Sequence, residues 1–145
     1  MPFLVWEPSF SVGVWDIDRQ HRSLIGLINQ LHVAVSGVEA DKKLQAVFGA
    51  TVDFVRNHFA FEESFLERLG YEGLAVHKEI HKELLDQLGG MRRQFDAGPL
   101  SVSPELVEFL KQWMVKHILQ CDHGYAELAE KRSLRLMATA SVNEM

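Results

Sequence analysis

Apolar residues recur at three- and four-residue steps through four stretches of this chain, the period of an α-helix with one face turned inward. The first stretch runs from about Asp18, which reads as an N-cap, to Ser36-Gly37; Leu24, Ile25, Leu27, Ile28, Leu31 and Val35 form its stripe. The second runs from Asp41 to Leu69. Leu44, Val47, Phe48, Thr51, Val52, Phe54 and Val55 lead on to Phe61, Phe65 and Leu66, and Gly70 is placed to end the helix in a left-handed cap. The third spans roughly Glu72 to Phe95 through Leu74, Ile80, Leu84, Leu85, Leu88 and Met91, with Gly89-Gly90 as a place for a bend. After the break at Asp96-Ala97-Gly98-Pro99, Ser103-Pro104-Glu105 is a helix-start signature. The fourth stripe follows through Leu106, Phe109, Leu110, Trp113, Met114, Ile118 and Cys121, past Tyr125 and on toward Leu136, and the tail after Met137 reads as frayed. Four helices of about 20 residues with short breaks predict an all-α fold, an antiparallel up-down four-helix bundle. Residues 1–17 read as an arm packed across the bundle, with aromatics such as Trp6, Phe10 and Trp15 adding to the core. Phe10, Val12 and Val14 alternate as a strand would, but nothing offers them a partner strand. Residues 1–145 are read as one domain, with the bundle over about 18–132.

Composition narrows the function classes. The chain is 47% apolar with 4 prolines, an ordinary globular balance. A net charge of −5 argues against a nucleic-acid or anionic-membrane partner, which would want a basic patch. No basic, apolar leader opens the chain and no segment approaches the roughly 20 apolar residues of a membrane span. The single cysteine, Cys121, cannot form an intramolecular disulfide, which fits a cytoplasmic location.

Histidine is the anomaly. Of seven, His21, His58, His77, His81 and His117 fall on or beside the inward stripes. His58 with Glu62, and His77 with His81, are pairs four residues apart, so each pair sits about 40° apart and one turn along the same helix face. A lone histidine on an apolar face is more often a hydrogen-bonded core residue than a ligand. Here several imidazoles and carboxylates would each be costly to bury without partners. Glu62, between Phe61 and Phe65-Leu66, is the sharpest case, and a metal removes its penalty. The spacing therefore predicts a bundle-core site for more than one metal ion. His32 returns to the face of His21 but about 16 Å further along, so it reads as a core residue outside the cluster. His123 reads as surface.

The fourth helix leaves a choice open. His117 and Asp122 are five residues apart, about 140° on a regular helix, whereas Cys121 stands at the favourable four-residue step. A thiolate beside imidazole favours zinc; a second carboxylate beside Glu62 favours iron or manganese. Asp122 would need a local widening such as a π-helical turn.

The series His21, His58-x-x-x-Glu62, His77-x-x-x-His81 and His117-x-x-x-x-Asp122 resembles the hemerythrins, closest to their single-domain bacterial form. The runs Trp15-Asp16-Ile17-Asp18-Arg19-Gln20-His21 and Trp113-x-x-x-His117-Ile118 look like that family too, and the resemblance spans roughly residues 3–130. It assigns Asp122 rather than Cys121. It implies a non-haem di-iron centre, with His77, His81 and His117 on one iron and His21 and His58 on the other. Glu62, Asp122 and an oxo or hydroxo group would bridge the two, and the two-histidine iron would keep an open position for O2. Ile25, Phe59, Trp113 and Ile118 are expected to wall a dry O2 pocket, with Phe61 also flanking the His58 motif. The expected function is reversible O2 binding for storage, transport or delivery, with an oxygen-consuming enzyme as a candidate recipient. The alternatives are a di-iron oxidase or peroxidase and an O2 or redox sensor module. Such enzymes are typically richer in carboxylates, with Glu-x-x-His pairs, so binding ranks above catalysis.

Overall fold

The computed structural model describes residues 3–36, 41–97 and 104–132, and among these it holds helices and no strand. Four helices carry the fold: α1 (Trp15–Ser36), α2 (Asp41–Leu69), α3 (Leu74–Ala97) and α4 (Pro104–His117). A π-helical turn, Ile118–Asp122, extends α4, and helix resumes over residues 123–132. The expected N-cap Ser103, the continuation from 133 toward Leu136 and the tail beyond Met137 lie outside the described residues.

The buried residues fall into two apolar clusters with a polar layer between them. One cluster includes Leu24, Ile28 and Leu31 of α1, Val52, Val55 and Phe59 of α2, Leu84 and Leu88 of α3, and Leu110 and Met114 of α4. The other gathers Val12, Ile17, Leu66, Leu69, Tyr125 and Ala129. Each helix crosses the polar layer at its histidines, and α1 and α3 cross it in the direction opposite to α2 and α4. Ile17 precedes His21 and Leu24, whereas Phe59 precedes Glu62 and Leu66. This is the antiparallel bundle that the periodicity predicts.

The arm packs across the helices, but α1 begins at Trp15, three residues before the expected cap. Asp18 is therefore not an N-cap. Its carboxylate reaches back to the arm, accepting from Ser11 Oγ at 2.5 Å and from the Val12 amide at 2.9 Å. That tether seats Phe10 and Val12 in the core. Within the arm, Pro8–Phe10 form a short 3-10 turn. Trp15 stays outside at 73% exposure, stacked by the Arg19 guanidinium, so it adds nothing to the core. Met91 and Phe109 are also exposed. α3 starts at Leu74 and runs through Gly89-Gly90 without a break.

α2 ends where expected. Gly70 has φ +73°, and the Tyr71 amide donates to Leu66 O at 3.1 Å while the Gly70 amide donates to Glu67 O at 3.1 Å, the paired bonds of a Schellman cap. Two glycine substitutions should move stability in opposite directions, read by denaturant unfolding at one fixed metal content. Gly70→Ala should cost about 1–2 kcal/mol, because an L side chain resists the left-handed region. Gly26 lies inside α1, and a Cβ there meets nothing within 4 Å. Gly26→Ala should gain about 0.4–1 kcal/mol, by restricting the unfolded chain.

Candidate metal centre

The polar layer brings together all seven residues that the spacing and the resemblance single out. His21, His58, Glu62, His77, His81, His117 and Asp122 are each at most 5% exposed, and both carboxylates are at 0%. The five imidazoles direct Nε2 into the cluster. His77 Nε2 lies 2.5 Å and His81 Nε2 3.2 Å from Glu62 Oε1; His81 and His117 Nε2 are 3.1 Å apart. On the other side, His58 and His21 Nε2 lie 3.6 and 3.8 Å from Glu62 Oε2. Asp122 divides its oxygens in the same way. Oδ1 is 3.1 Å from both His77 and His117 Nε2, and Oδ2 is 3.3 Å from His21 Nε2. Two groups of donors result: Glu62, His77, His81, His117 and Asp122 in one, and His21, His58 and Glu62 in the other. Within each, the donor atoms lie within 4.8 Å of one another.

The π-helical turn explains the five-residue step. A turn that closes one residue later brings Asp122 back over His117, so both side chains face the layer. Cys121 is left half-buried and belongs to neither donor group. Burial first, and Asp122 second, push its thiol pKa up.

Among the protein groups themselves, protons are shared unevenly. Burial opposes a charged His77, but its approach to Asp122 and its hydrogen bond to Glu62 outweigh burial and raise its pKa to about 9. Burial, then the neighbouring His21, lower His58 to about 4. Burial and Asp122 push Glu62 upward, yet the imidazoles of His77 and His81 bring it down to about 2. Burial likewise opposes an ionised Asp122, and the close imidazoles of His117, His21 and His77 hold it well below the usual carboxylate range. Neither Asp122 oxygen has a well-aligned hydrogen bond, and the buried Nδ1 atoms of His21 and His117 have no partner. Two ionised carboxylates with no exposure and ring nitrogens aimed between them match what cations require. Imidazole with hard oxygen suits iron or manganese, so the two donor groups fit metal ions of that kind.

Three further residues hold this set, and the spacing argument did not single them out. Tyr125 is fully buried and its phenol donates to Glu62 Oε2 at 3.2 Å. Burial, then the charges of Glu62 and Asp122, push its pKa well up, so it stays a donor. His58 Nδ1 donates to Gln20 Oε1 at 2.6 Å, and His81 Nδ1 to Glu63 Oε2 at 3.0 Å. The available signal was adjacency: Gln20 precedes His21, Glu63 follows Glu62, and Tyr125 stands three residues after Asp122.

The expected pocket wall divides. Phe59 stacks on His81 at 3.6 Å between ring centroids, and Trp113, half-buried, stacks on His117 at 4.5 Å. Both aromatics thus press on the three-histidine group rather than on His21. Ile25, one turn from His21, and Ile118 are buried in the same apolar cluster. Phe61 is half-buried on the opposite side of the layer. His32 is half-buried and stacks on Phe3 at 4.1 Å, away from the centre, and His123 is exposed.

Comparison with known proteins places this geometry. Residues 12–129 match the family model of the hemerythrin HHE cation binding domain. The chain is 36% identical over 127 residues to a bacteriohemerythrin of Stenotrophomonas maltophilia, covering 88% of this chain and 82% of that protein. It is 31% identical over 129 residues to a bacteriohemerythrin of Methylococcus capsulatus, covering 86% and 95%. A crystal structure of wild-type hemerythrin superposes with a TM-score of 0.83 at 27% identity, covering 87% of this chain and 97% of that one. With its fold, its buried donors and its relatives in agreement, the chain belongs to the hemerythrin family.

Proposed function

We propose that this protein binds O2 reversibly at a pair of iron ions. His77, His81 and His117 would hold one ion and His21 and His58 the other. Glu62 and Asp122 would bridge them. The observation that carries this reading is the matched division of the carboxylates, each turning one oxygen toward either histidine group. When bound, an iron pair would supply the electrons for taking up and returning O2. The chain supplies order and dryness. Gln20 and Glu63 fix the tautomers of His58 and His81, so that Nε2 stays free to bind metal. Tyr125 holds Glu62 from behind. Phe59 and Trp113 cover His81 and His117 with ring faces and keep water from that side. Five imidazoles against two bridging carboxylates lend less negative charge than the carboxylate-rich centres of oxidising bundle enzymes, which favours binding over catalysis.

Iron counting combined with an anaerobic-to-aerobic optical titration tests the reading. Two irons per chain are expected, with a visible band that forms in air and disappears on deoxygenation. Irreversible oxidation would favour a redox enzyme or sensor; zinc or no metal would overturn the di-iron reading. The choice between neighbours on the π-helical turn is tested in the same assay. Asp122→Asn should weaken iron binding by at least about tenfold, while Cys121→Ser should leave two irons per chain. Trp113→Ala should keep the iron but speed oxidative loss of the O2-binding form by about tenfold, timed by the decay of the optical band, because the stacked face over His117 is opened to water.

A further inference from the structure

The two histidine groups differ in what braces their outer nitrogens. In the three-histidine group, His81 Nδ1 donates to a carboxylate, Glu63, at 3.0 Å. In the two-histidine group, His58 Nδ1 donates to a neutral amide, Gln20, at 2.6 Å. The outer nitrogens of His21 and His117 have no partner. Glu62 and Asp122 cannot create the difference, since each faces both groups with one oxygen. Glu63 adds negative charge to one side alone. It follows Glu62 by one residue, about 100° round α2, and so turns away from the centre to meet α3. It is 24% exposed and lines a groove with Arg56, Lys78, Glu79 and Lys82.

We propose that Glu63 is a positioning residue that makes the ion held by His77, His81 and His117 the more easily oxidised of the pair. The proposal rests on the di-iron reading above. A carboxylate that accepts the Nδ1 proton draws it off the ring, leaves Nε2 a stronger donor and so stabilises the higher charge on the metal. Its own charge acts in the same direction, because its Oε2 is held 3.0 Å from the buried His81 ring. Gln20 orients His58 equally well but contributes neither effect. The centre is therefore unequal by construction: the side with the extra histidine also carries the extra charge.

The test is the midpoint potential of the iron-loaded protein, measured by redox titration with iron counted in every sample. Glu63→Gln keeps shape and a hydrogen-bond acceptor while removing charge. It should favour the reduced form by roughly tenfold, a rise of about 59 mV for a one-electron step. Gln20→Glu, which gives the second ion the same brace, should shift the potential the opposite way. Glu79→Gln removes an equal charge from the exposed side of the groove without a bond to any ligand, and should shift it much less. A Glu63→Gln shift no larger than that of Glu79→Gln would overturn the proposal. If Glu63→Gln loads fewer than two irons, the decision passes to Gln20→Glu, whose unchanged potential would overturn it equally. A wild-type protein that does not load two irons would instead defeat the di-iron reading itself, so the two failures are distinguishable.

Discussion

Two carboxylates with no exposure to water govern this structure. Burying one ionised carboxylate costs several kcal/mol unless opposite charge and well-placed donors offset it. Glu62 and Asp122 sit side by side at the waist of a bundle, between two apolar clusters. Every helix answers that demand with at least one imidazole: His21 from α1, His58 from α2, His77 and His81 from α3, His117 from α4. The answer is incomplete in protein groups alone. Glu62 gains a phenol and close imidazoles, but Asp122 has no aligned donor. A waist that breaks the apolar pattern in all four helices at one level is the kind of local conflict that a fold retains for function.

The π-helical turn follows from the same demand. A regular α4 would carry Cys121 inward and Asp122 toward a neighbour or solvent. Widening the turn exchanges them, so the thiol becomes half-buried and the carboxylate fully buried. The helix then recovers its register in time to put Tyr125 behind Glu62 and Ala129 in the second apolar cluster. One local irregularity thus supplies both a carboxylate and the hydroxyl that holds its partner.

Much of the fold was legible because helical period and apolar spacing are local properties. The stripes, the Gly70 cap and the pairs at His58/Glu62 and His77/His81 could be read without tertiary information. Asp122 could not be read from spacing, since its place depends on a departure from the period that reveals the others. Carboxylate chemistry beside Glu62 kept it open as an alternative to Cys121, and family resemblance decided for it. Gln20 and Glu63 are ordinary polar residues in sequence; their meaning lies in distances to rings on other helices, 38 and 18 residues away. Asp18 shows the converse error. It has the chemistry of an N-cap but spends its carboxylate on the arm, because Ser11 and Val12 are brought within reach. Met91 and Phe109 stand at the borders of their stripes, where period alone does not separate a core side chain from a covering one.

The brackets around the centre cross between helices, and this has a structural consequence. Gln20 of α1 braces His58 of α2, Glu63 of α2 braces His81 of α3, and Tyr125 beyond α4 braces Glu62 of α2. In two of the three, the residue beside a donor on one helix orients a donor on another. Such interleaving means that His58, His81 and Glu62 cannot turn without pulling on a neighbouring helix. The helix order around α2 therefore does not rest on the metal alone: the hydrogen bonds join all four helical segments through α2. Metal would add charge balance to an arrangement in which His58, His81 and Glu62 are already directed, so these three need little reorganisation when it enters. Partly preset donors in a buried layer also suit the proposed reversible binding, because a centre that shifts little between its loaded and unloaded forms has little to oppose its return.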